Sequence, residues 1–164
     1  MVTVRPATHK DMGFLVRVLL LANIERCQKQ KGWNAEESLE SVRFSTTDEL
    51  QGRTQDSTTY VIAADGEDVG RLRVVRTGSH LLIAGIQILP DHQRKGIGAT
   101  VIRSLLHEGQ AAHLPVTLEV EQDNTNAKRL YLRLGFVVTG ERGDRFCMTA
   151  SIGARSTAID DVGS

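Results

Sequence analysis

Apolar and polar positions follow two different spacings along this chain, and together they predict a mixed α/β fold. Apolar residues recur every three or four positions within residues 12–24, 39–44 and 97–106, which indicates amphipathic helices, and a fourth helix is predicted over 124–134. β-branched, continuously apolar or alternating runs predict seven strands, at residues 2–6, 59–63, 68–75, 81–89, 116–121, 136–138 and 145–150. The order β-α-α-β-β-β-α-β-α-β-β is typical of a mixed sheet with helices on both faces.

Turn and cap residues set several boundaries between these elements. Asp65-Gly66 lies between the second and third strands, and both residue types tolerate positive φ, so the pair predicts a tight hairpin. Polar residues 34–38, NAEES, could open the second helix, Asn124 stands where a helix N-cap is expected, and Gly135 stands where the residue after a helix C-terminus belongs. The first helix is predicted to end near residue 32.

Two segments carry weak apolar patterns. Residues 45–58 are polar and aperiodic, which predicts a loop or a short helix. Residues 151–164 lack apolar periodicity and are predicted to form a disordered tail. The remaining chain, residues 1–150, is long enough to bury one core and is predicted to be a single domain.

Composition narrows the classes of protein. Lys and Arg number 20, as do Asp and Glu, so the formal net charge is zero and no global attraction to nucleic acid or to an anionic membrane is expected. The two cysteines, Cys27 and Cys147, form neither a disulfide framework nor a metal motif, and the histidines are scattered, so no metal is expected. The N-terminus does not resemble a signal peptide, and no apolar run is long enough to span a bilayer. A cytoplasmic location is therefore expected.

The most informative chemistry lies where a strand meets a helix, at residues 88–100, ILPDHQRKGIGAT. The first turn of a helix has four backbone N–H groups without intrahelical partners, and its dipole favours an anion. Gly96 and Gly98 carry no Cβ that would hold a ligand away from these amides, and Arg94 and Lys95 add positive charge. The segment predicts a diphosphate site, with a plain glycine turn as the alternative. Neither G-x-x-x-x-G-K-[ST] nor G-x-G-x-x-G is present at this loop.

Two motifs in the sequence resemble those of one family. Residues 93–98, QRKGIG, match the Q/R-x-x-G-x-G/A signature of the GNAT superfamily of acyl-CoA-dependent N-acyltransferases. Residues 124–136, NTNAKRLYLRLGF, resemble the N-x-x-A-x-x-L-Y-x-x-x-G-F segment of the same family, and the opening VRPATHKDM is similar to the start of such domains. The resemblance covers roughly residues 2–150. It implies the GNAT fold, in which a mixed, mostly antiparallel central sheet splays at the cofactor cleft with helices on both faces.

The resemblance also implies that acetyl-CoA, or a close acyl-CoA, binds as co-substrate. Its pyrophosphate would contact Gln93, Arg94, Lys95, Gly96, Ile97, Gly98 and Ala99. The pantetheine arm would pair with the strand edge at Ile86, Gln87 and Ile88, and the Ile88 amide would bond the thioester oxygen and favour its oxyanion. Asn124 would contact the cofactor arm, with a helix cap as an equal alternative. Tyr131 matches the tyrosine that often protonates the departing CoA thiolate, with a core tyrosine as the alternative.

The general base is the least determined part of the site. A free alkyl amine has a pKa near 10.4, so supplying its neutral form at pH 7 costs about 4 to 5 kcal/mol and requires a proton acceptor. Histone-type members place a glutamate in the middle of the strand before the cofactor loop, whereas this chain has LLIAG at residues 81–85. Glu119 is the first candidate, followed by Glu121 and His80, and each has a surface or ion-paired alternative. Gln87 cannot take a proton but could orient a water.

The combined pattern predicts an N-acetyltransferase that moves an acetyl group from acetyl-CoA to a primary amine by direct attack in a ternary complex. No serine or cysteine constellation indicates an acyl-enzyme. The alternative is a non-catalytic acyl-CoA-binding or regulatory module, which the missing strand glutamate favours, and a nucleotide-binding domain is a weaker one. The acceptor is expected to be a small amine or a peptide. The sequence leaves the oligomeric state open, and the resemblance to the family makes a homodimer one possibility.

Overall fold

The computed structural model describes residues 1–22 and 24–151. Its helices are α1 (Met12–Leu21), α2 (Ile24–Gln28), α3 (Ala35–Leu50), α4 (Ile97–Ala112) and α5 (Thr125–Arg133). Its strands are β1 (Val2–Pro6), β2 (Ser57–Ala64), β3 (Glu67–Arg76), β4 (Leu81–Ile88), β5 (Val116–Glu121), β6 (Val137–Arg142) and β7 (Arg145–Ala150).

The seven strands form one sheet in the order β1-β2-β3-β4-β5-β7-β6. The pairs β1–β2, β5–β7 and β6–β7 are antiparallel, and β4–β5 is parallel. The parallel ladder covers three residue pairs, from Leu81–Val116 to Ile83–Leu118. The predicted class, a mixed and mostly antiparallel sheet with helices, is confirmed.

The residues cluster into two compact units. The first comprises Met1–Val74 and Gly85–Gly98. Its core holds fully buried aliphatic side chains from α1, β2 and β3, including Leu15, Val61 and Val69. Within this unit β3 approaches β4 closely, since a Cβ atom built on Gly70 would lie 2.6 Å from the carbonyl oxygen of Gln87. Only glycine therefore fits at position 70 without moving β4.

Among the described residues, the second unit comprises Val75–Ala84 and residues 99–151. Its buried core comes from one face of α4, alternate residues of β5, the residue before β6, and β7, and includes Val101, Ile102, Leu118, Phe136 and Met148. The alternation along β5 matches the period of two expected of a strand with one buried face. Thr117, Glu119 and Glu121 occupy the other, half-buried face.

Local turn chemistry explains the boundaries that the sequence predicted. Asp65 and Gly66 join β2 to β3 with φ of 52° and 84°, so the predicted hairpin turn with two positive φ angles is confirmed. The Asn34 side chain accepts hydrogen bonds from the Glu36 and Glu37 amides at 2.9 and 3.1 Å and so caps α3, in the polar stretch predicted to open this helix.

Two helix boundaries differ from the predictions. The first helix does not run on to residue 32, because α1 ends at Leu21 and a separate helix covers Ile24–Gln28. Residues 45–58, predicted as a loop or a short helix, continue α3 as far as Leu50, and β2 begins at Ser57. Within this stretch the Thr46 and Thr47 hydroxyls donate to carbonyls four residues earlier, at 2.7 and 2.8 Å, so both polar side chains find acceptors inside the helix.

The predicted strands at the end of the chain are present, with β6 extending to Arg142 rather than ending at residue 138. The predicted disorder of 151–164 concerns residues that, apart from Ser151, lie outside those described. No helix in residues 1–22 or 24–151 is both long and apolar enough to cross a membrane.

Candidate functional site

The segment between β4 and α4 has the strand-turn-helix form that the sequence predicted. After β4 the chain makes a short 3₁₀ turn over Pro90–His92, and α4 begins at Ile97. The Leu89 amide donates to the Val69 carbonyl at 2.8 Å, which fixes the turn to β3. The Gln93 side chain folds back, and its Nε2 donates to the Ile88 carbonyl at 2.9 Å. Gln93 therefore braces the loop from within.

The loop before α4 has an unusual backbone and open space above it. Arg94 and Gly96 have φ of 63° and 80°, in the left-handed region. Turns that mix right- and left-handed residues direct successive amides toward one side and form concavities for anions. A Cβ atom built on Gly96 or on Gly98 meets no other atom within 4 Å, so space for a ligand adjoins both glycines. The Arg94 and Lys95 side chains are exposed beside it.

The last residues of β4 form the predicted strand edge. Ile86, Gln87 and Ile88 are half-buried and lie beyond the three-pair ladder that joins β4 to β5. The Ile88 carbonyl is already bonded by Gln93, which leaves this stretch anchored at its end. In the first unit the strand edge at residues 86–88 thus continues through a short turn into residues 93–98.

A buried ion pair lies beside this strand edge, and the sequence reasoning missed it. Arg71 of β3 donates from Nη2 to both carboxylate oxygens of Glu49, at 2.7 and 2.8 Å. Its Nη1 donates to Gln87 Oε1 at 2.8 Å, and the Thr59 hydroxyl donates to Glu49 at 3.0 Å. The available signal was an arginine inside a strand whose neighbours are apolar.

Tyr131 belongs to the second unit, near the end of α5. Its ring packs edge-on against Phe136, with centroids 6.0 Å apart and an interplanar angle of 62°. Burial raises the pKa of Tyr131 to about 12, and the nearby Glu121 carboxylate acts in the same direction. The phenol is therefore protonated at neutral pH, as a proton donor must be.

Asn124 caps α5, as one of the two readings of this residue predicted. Its Oδ1 accepts from the Ala127 amide at 3.3 Å, and its own amide donates to the Glu121 carbonyl at 2.9 Å. Gly135 follows the helix with φ of 101°, the predicted position for a residue with left-handed conformation. The Asn124 side-chain nitrogen is not used by this cap.

The two candidate carboxylates of β5 face the β6–β7 hairpin. Glu119 lies 3.4 Å from the Arg142 guanidinium and keeps 28% of its side chain exposed. Glu121 lies 3.8 Å from Arg145 and is similarly exposed at 29%. Both contacts are long for ion pairs, so each carboxylate keeps access to water. Ala99 lies in the same unit, in the first turn of α4.

His80 is less suited to act as a base. Its Nδ1 lies 3.2 Å from the Thr77 hydroxyl and 3.0 Å from the Ser79 hydroxyl, so neighbouring turn residues engage this nitrogen. The segment Leu81–Gly85 carries no ionisable side chain, and two of its members, Leu81 and Ile83, are buried. β4 thus offers no carboxylate in its middle.

Comparison with known proteins gives a consistent result. A profile of the Acetyltransferase (GNAT) family matches residues 19–136. The chain is 35% identical over 112 residues to streptothricin acetyltransferase from Streptomyces lavendulae, covering 65% of this chain and 58% of that relative's length.

Solved structures with the same fold are more distant in sequence. PaiA N-acetyltransferase from Thermoplasma acidophilum, solved in complex with coenzyme A, is 19% identical with a TM-score of 0.71, covering 92% of this chain and 99% of that one. The ribosomal-protein-S18-alanine N-acetyltransferase from Escherichia coli is 20% identical with a TM-score of 0.63, covering 93% and 94%. At these identities the likeness is one of fold.

Proposed function

Because the chain belongs to the GNAT family of acetyltransferases, we propose that it transfers an acetyl group from acetyl-CoA to the nitrogen of a primary amine. The observation that carries this proposal is the loop before α4, where left-handed residues and two glycines leave open space beside exposed cations. That arrangement fits a diphosphate, whose charge the first-turn amides and the dipole of α4 would stabilise.

In this proposal the loop before α4 and the edge of β4 each have one task toward the co-substrate. The amides of residues 93–98, with Ala99, hold the diphosphate, and the Arg94 and Lys95 side chains add charge. The backbone of β4 at Ile86, Gln87 and Ile88 pairs with the pantetheine arm, which leaves the Gln87 side chain outside this contact. The Ile88 amide donates to the acyl oxygen, where negative charge develops during attack by the amine. Acetyl-CoA supplies the activated acyl group.

Glu119 and Tyr131 carry the proton transfers in this proposal. The attacking amine loses a proton, which Glu119 accepts directly or through water. The departing thiolate gains a proton from Tyr131, whose raised pKa keeps the phenol protonated at neutral pH. Direct attack in a ternary complex requires no covalent enzyme intermediate, and neither Cys27 nor Cys147 is needed as a nucleophile.

Glu119→Gln should lower kcat by about 10²-fold, the low end of the range for general bases, because the half-exposed site lets water replace the carboxylate in part. Steady-state kinetics with a saturating amine would measure the change. Glu121→Gln is the matched control on the same face of β5. A larger loss in the Glu121 variant than in the Glu119 variant would reassign the base to Glu121.

Asn124→Asp separates the helix cap from the cofactor contact. A carboxylate accepts the Ala127 amide bond as well as an amide does, so the unfolding free energy should hold, whereas Asn124→Ala should lose about 1 kcal/mol. Loss of the Nδ2 donor should weaken acetyl-CoA binding several-fold in both variants. Thermal unfolding and calorimetric titration with acetyl-CoA measure the two effects. Unchanged affinity in both variants would limit Asn124 to its cap.

The acceptor is best sought among amines, because the similar Streptomyces protein is named for acetylating streptothricin. Calorimetry with acetyl-CoA tests binding, and release of free thiol with a panel of streptothricin, amino acids, alkyl amines and peptides tests transfer. Binding without thiol release from any amine would favour a non-catalytic acyl-CoA module. Competition by ATP for the same site would favour a nucleotide-binding domain. Absence of acetyl-CoA binding would overturn the proposal.

A further inference from the structure

A buried charge pair controls the orientation of one side chain at the strand edge. Arg71 is 4% exposed, and the Glu49 side chain that it contacts is similarly buried. The remaining arm of the guanidinium, Nη1, reaches Gln87 Oε1. Burial takes both charges out of water, and this desolvation makes a buried ion pair weak evidence for stability. The arrangement points to a task beyond stability.

Arg71 decides which end of the Gln87 amide faces outward. A guanidinium has donors and no acceptor, so only the Gln87 oxygen can face it, and the amide nitrogen must face away. Within residues 1–22 and 24–151, Gln87 Nε2 has no protein acceptor. In the same residues the one fully buried side-chain polar atom without a partner is Arg71 Nε, so the Gln87 nitrogen, on a half-buried residue, is not fully buried.

Gly85 keeps the space that this arrangement needs. It precedes Gln87 by two residues and so lies on the same face of β4. A Cβ atom built on Gly85 would lie 2.8 Å from Arg71 Nη1 and 3.4 Å from Gln87 Nε2. A side chain at this position would displace the guanidinium, the amide or both. The glycine and the arginine therefore act together on Gln87.

The direction of the Gln87 side chain indicates what it meets. A chain paired with the edge of β4 lies in the plane of the sheet, whereas side chains leave that plane. Gln87 leaves it on the face where Glu49 of α3 reaches Arg71. Its nitrogen is therefore placed to meet a group on that face rather than the arm bound along the strand edge.

We propose that Gln87 is a specificity-determining residue, whose Nε2 donates a hydrogen bond to a carbonyl or carboxylate oxygen adjacent to the reacting amine of the acceptor. Arg71, held by Glu49, is a positioning residue that makes Gln87 a donor. This inference rests on the proposed function and deepens it: the preferred acceptors are amines that carry such an oxygen, as amino acids, their amides and peptides do.

Glycinamide and ethylamine form a suitable substrate pair, because only the first carries a carbonyl. The ratio of their kcat/KM values is compared between the wild type and Gln87→Glu, so the difference in amine basicity cancels. The variant keeps the shape and the contact with Arg71 but presents an acceptor outward in place of the donor. We expect the ratio of kcat/KM for glycinamide to kcat/KM for ethylamine to fall about tenfold or more in the variant, through a higher KM for glycinamide. The affinity for acetyl-CoA should be unchanged.

Two further variants make the result specific. Gln51→Glu adds the same charge at an exposed position just after α3 and should leave the ratio unchanged. Arg71→Lys keeps a cation opposite Glu49 but lacks the second guanidinium nitrogen that reaches Gln87. The Gln87 amide can then rotate, so the ratio should fall by less than in Gln87→Glu. Circular dichroism and thermal unfolding check that both variants fold.

The outcomes separate this inference from the proposed function. A Gln87→Glu enzyme that binds acetyl-CoA and keeps the wild-type ratio would overturn the role of Gln87 while the acetyltransferase stands. A changed affinity for acetyl-CoA with an unchanged ratio would assign Gln87 to the co-substrate, which also overturns the inference. A wild type that neither binds acetyl-CoA nor acetylates any amine would remove the proposed function, and this inference with it.

Discussion

Gly96→Val should raise the Kd for acetyl-CoA about 10³-fold. The new side chain would occupy the open space that adjoins this residue, and the charged diphosphate would lose hydrogen bonds worth roughly 1.5–3 kcal/mol each. Position 96 also has φ of 80°, which a β-branched residue adopts only with strain, so the loop itself should distort. Isothermal titration calorimetry with acetyl-CoA measures the affinity, and CoA serves as a second ligand.

A matched control is needed to separate the effect of backbone strain at position 96 from the loss of ligand contacts, and the β2–β3 hairpin supplies one. Gly66 has φ of 84°, and a Cβ atom built there also meets nothing within 4 Å. Gly66→Val should therefore lose a similar free energy of unfolding while it keeps the wild-type affinity for acetyl-CoA. Equal affinities in the two valine variants would show that the loop before α4 does not hold the diphosphate, and the proposed co-substrate site would fail.

Tyr131→Phe should lower kcat about 10³-fold, with the Kd for acetyl-CoA changed less than threefold. A leaving thiolate without a proton donor must take its proton from water, and the partly enclosed position of Tyr131 limits that rescue. The loss should exceed that of Glu119→Gln, because Glu119 lies nearer to water. Single-turnover kinetics with a pre-bound co-substrate would separate the chemical step from product release.

The pKa of Tyr131 adds a pH criterion to this prediction. Since burial raises it to about 12, the wild-type kcat should show no decline due to deprotonation of this phenol at or below pH 10. Tyr60→Phe, the other tyrosine in the sequence, should keep nearly full activity and serves as the control. Wild-type turnover in the Tyr131 variant would remove this residue from the mechanism and leave it as packing against Phe136.

Features encoded by neighbouring residues could be predicted from the sequence. The hairpin at Asp65-Gly66 and the cap at Asn124 depend on the conformational preferences of one or two residues, and each lies where the pattern placed it. The loop before α4 follows the same logic, because a strand, a proline and two glycines determine its course. The fold class and the family could be predicted because they depend on these local signals.

Features that depend on distant partners were not predictable in the same way. The helix α3 continues through residues 45–50 although they are polar, since Thr46 is buried and Glu49 meets Arg71 from another part of the chain. Arg71 and Arg73 alternate with the apolar Leu72, a pattern that resembles a strand with one solvated face. Arg71 is buried because Glu49, which is distant in sequence, packs against it. The general base is equally a tertiary property, because its choice depends on what surrounds each carboxylate.

The glycines at 70 and 85 carry a consequence for protein engineering. Gly70 lets β3 approach the Gln87 carbonyl, and Gly85 leaves room for the guanidinium that orients the Gln87 amide. A directed-evolution library that aims at new substrates should randomise Gln87 and its surroundings while it holds these two backbone positions constant. Libraries that also vary them would be dominated by clones in which β4 is displaced, and most of their diversity would be spent on misfolded protein.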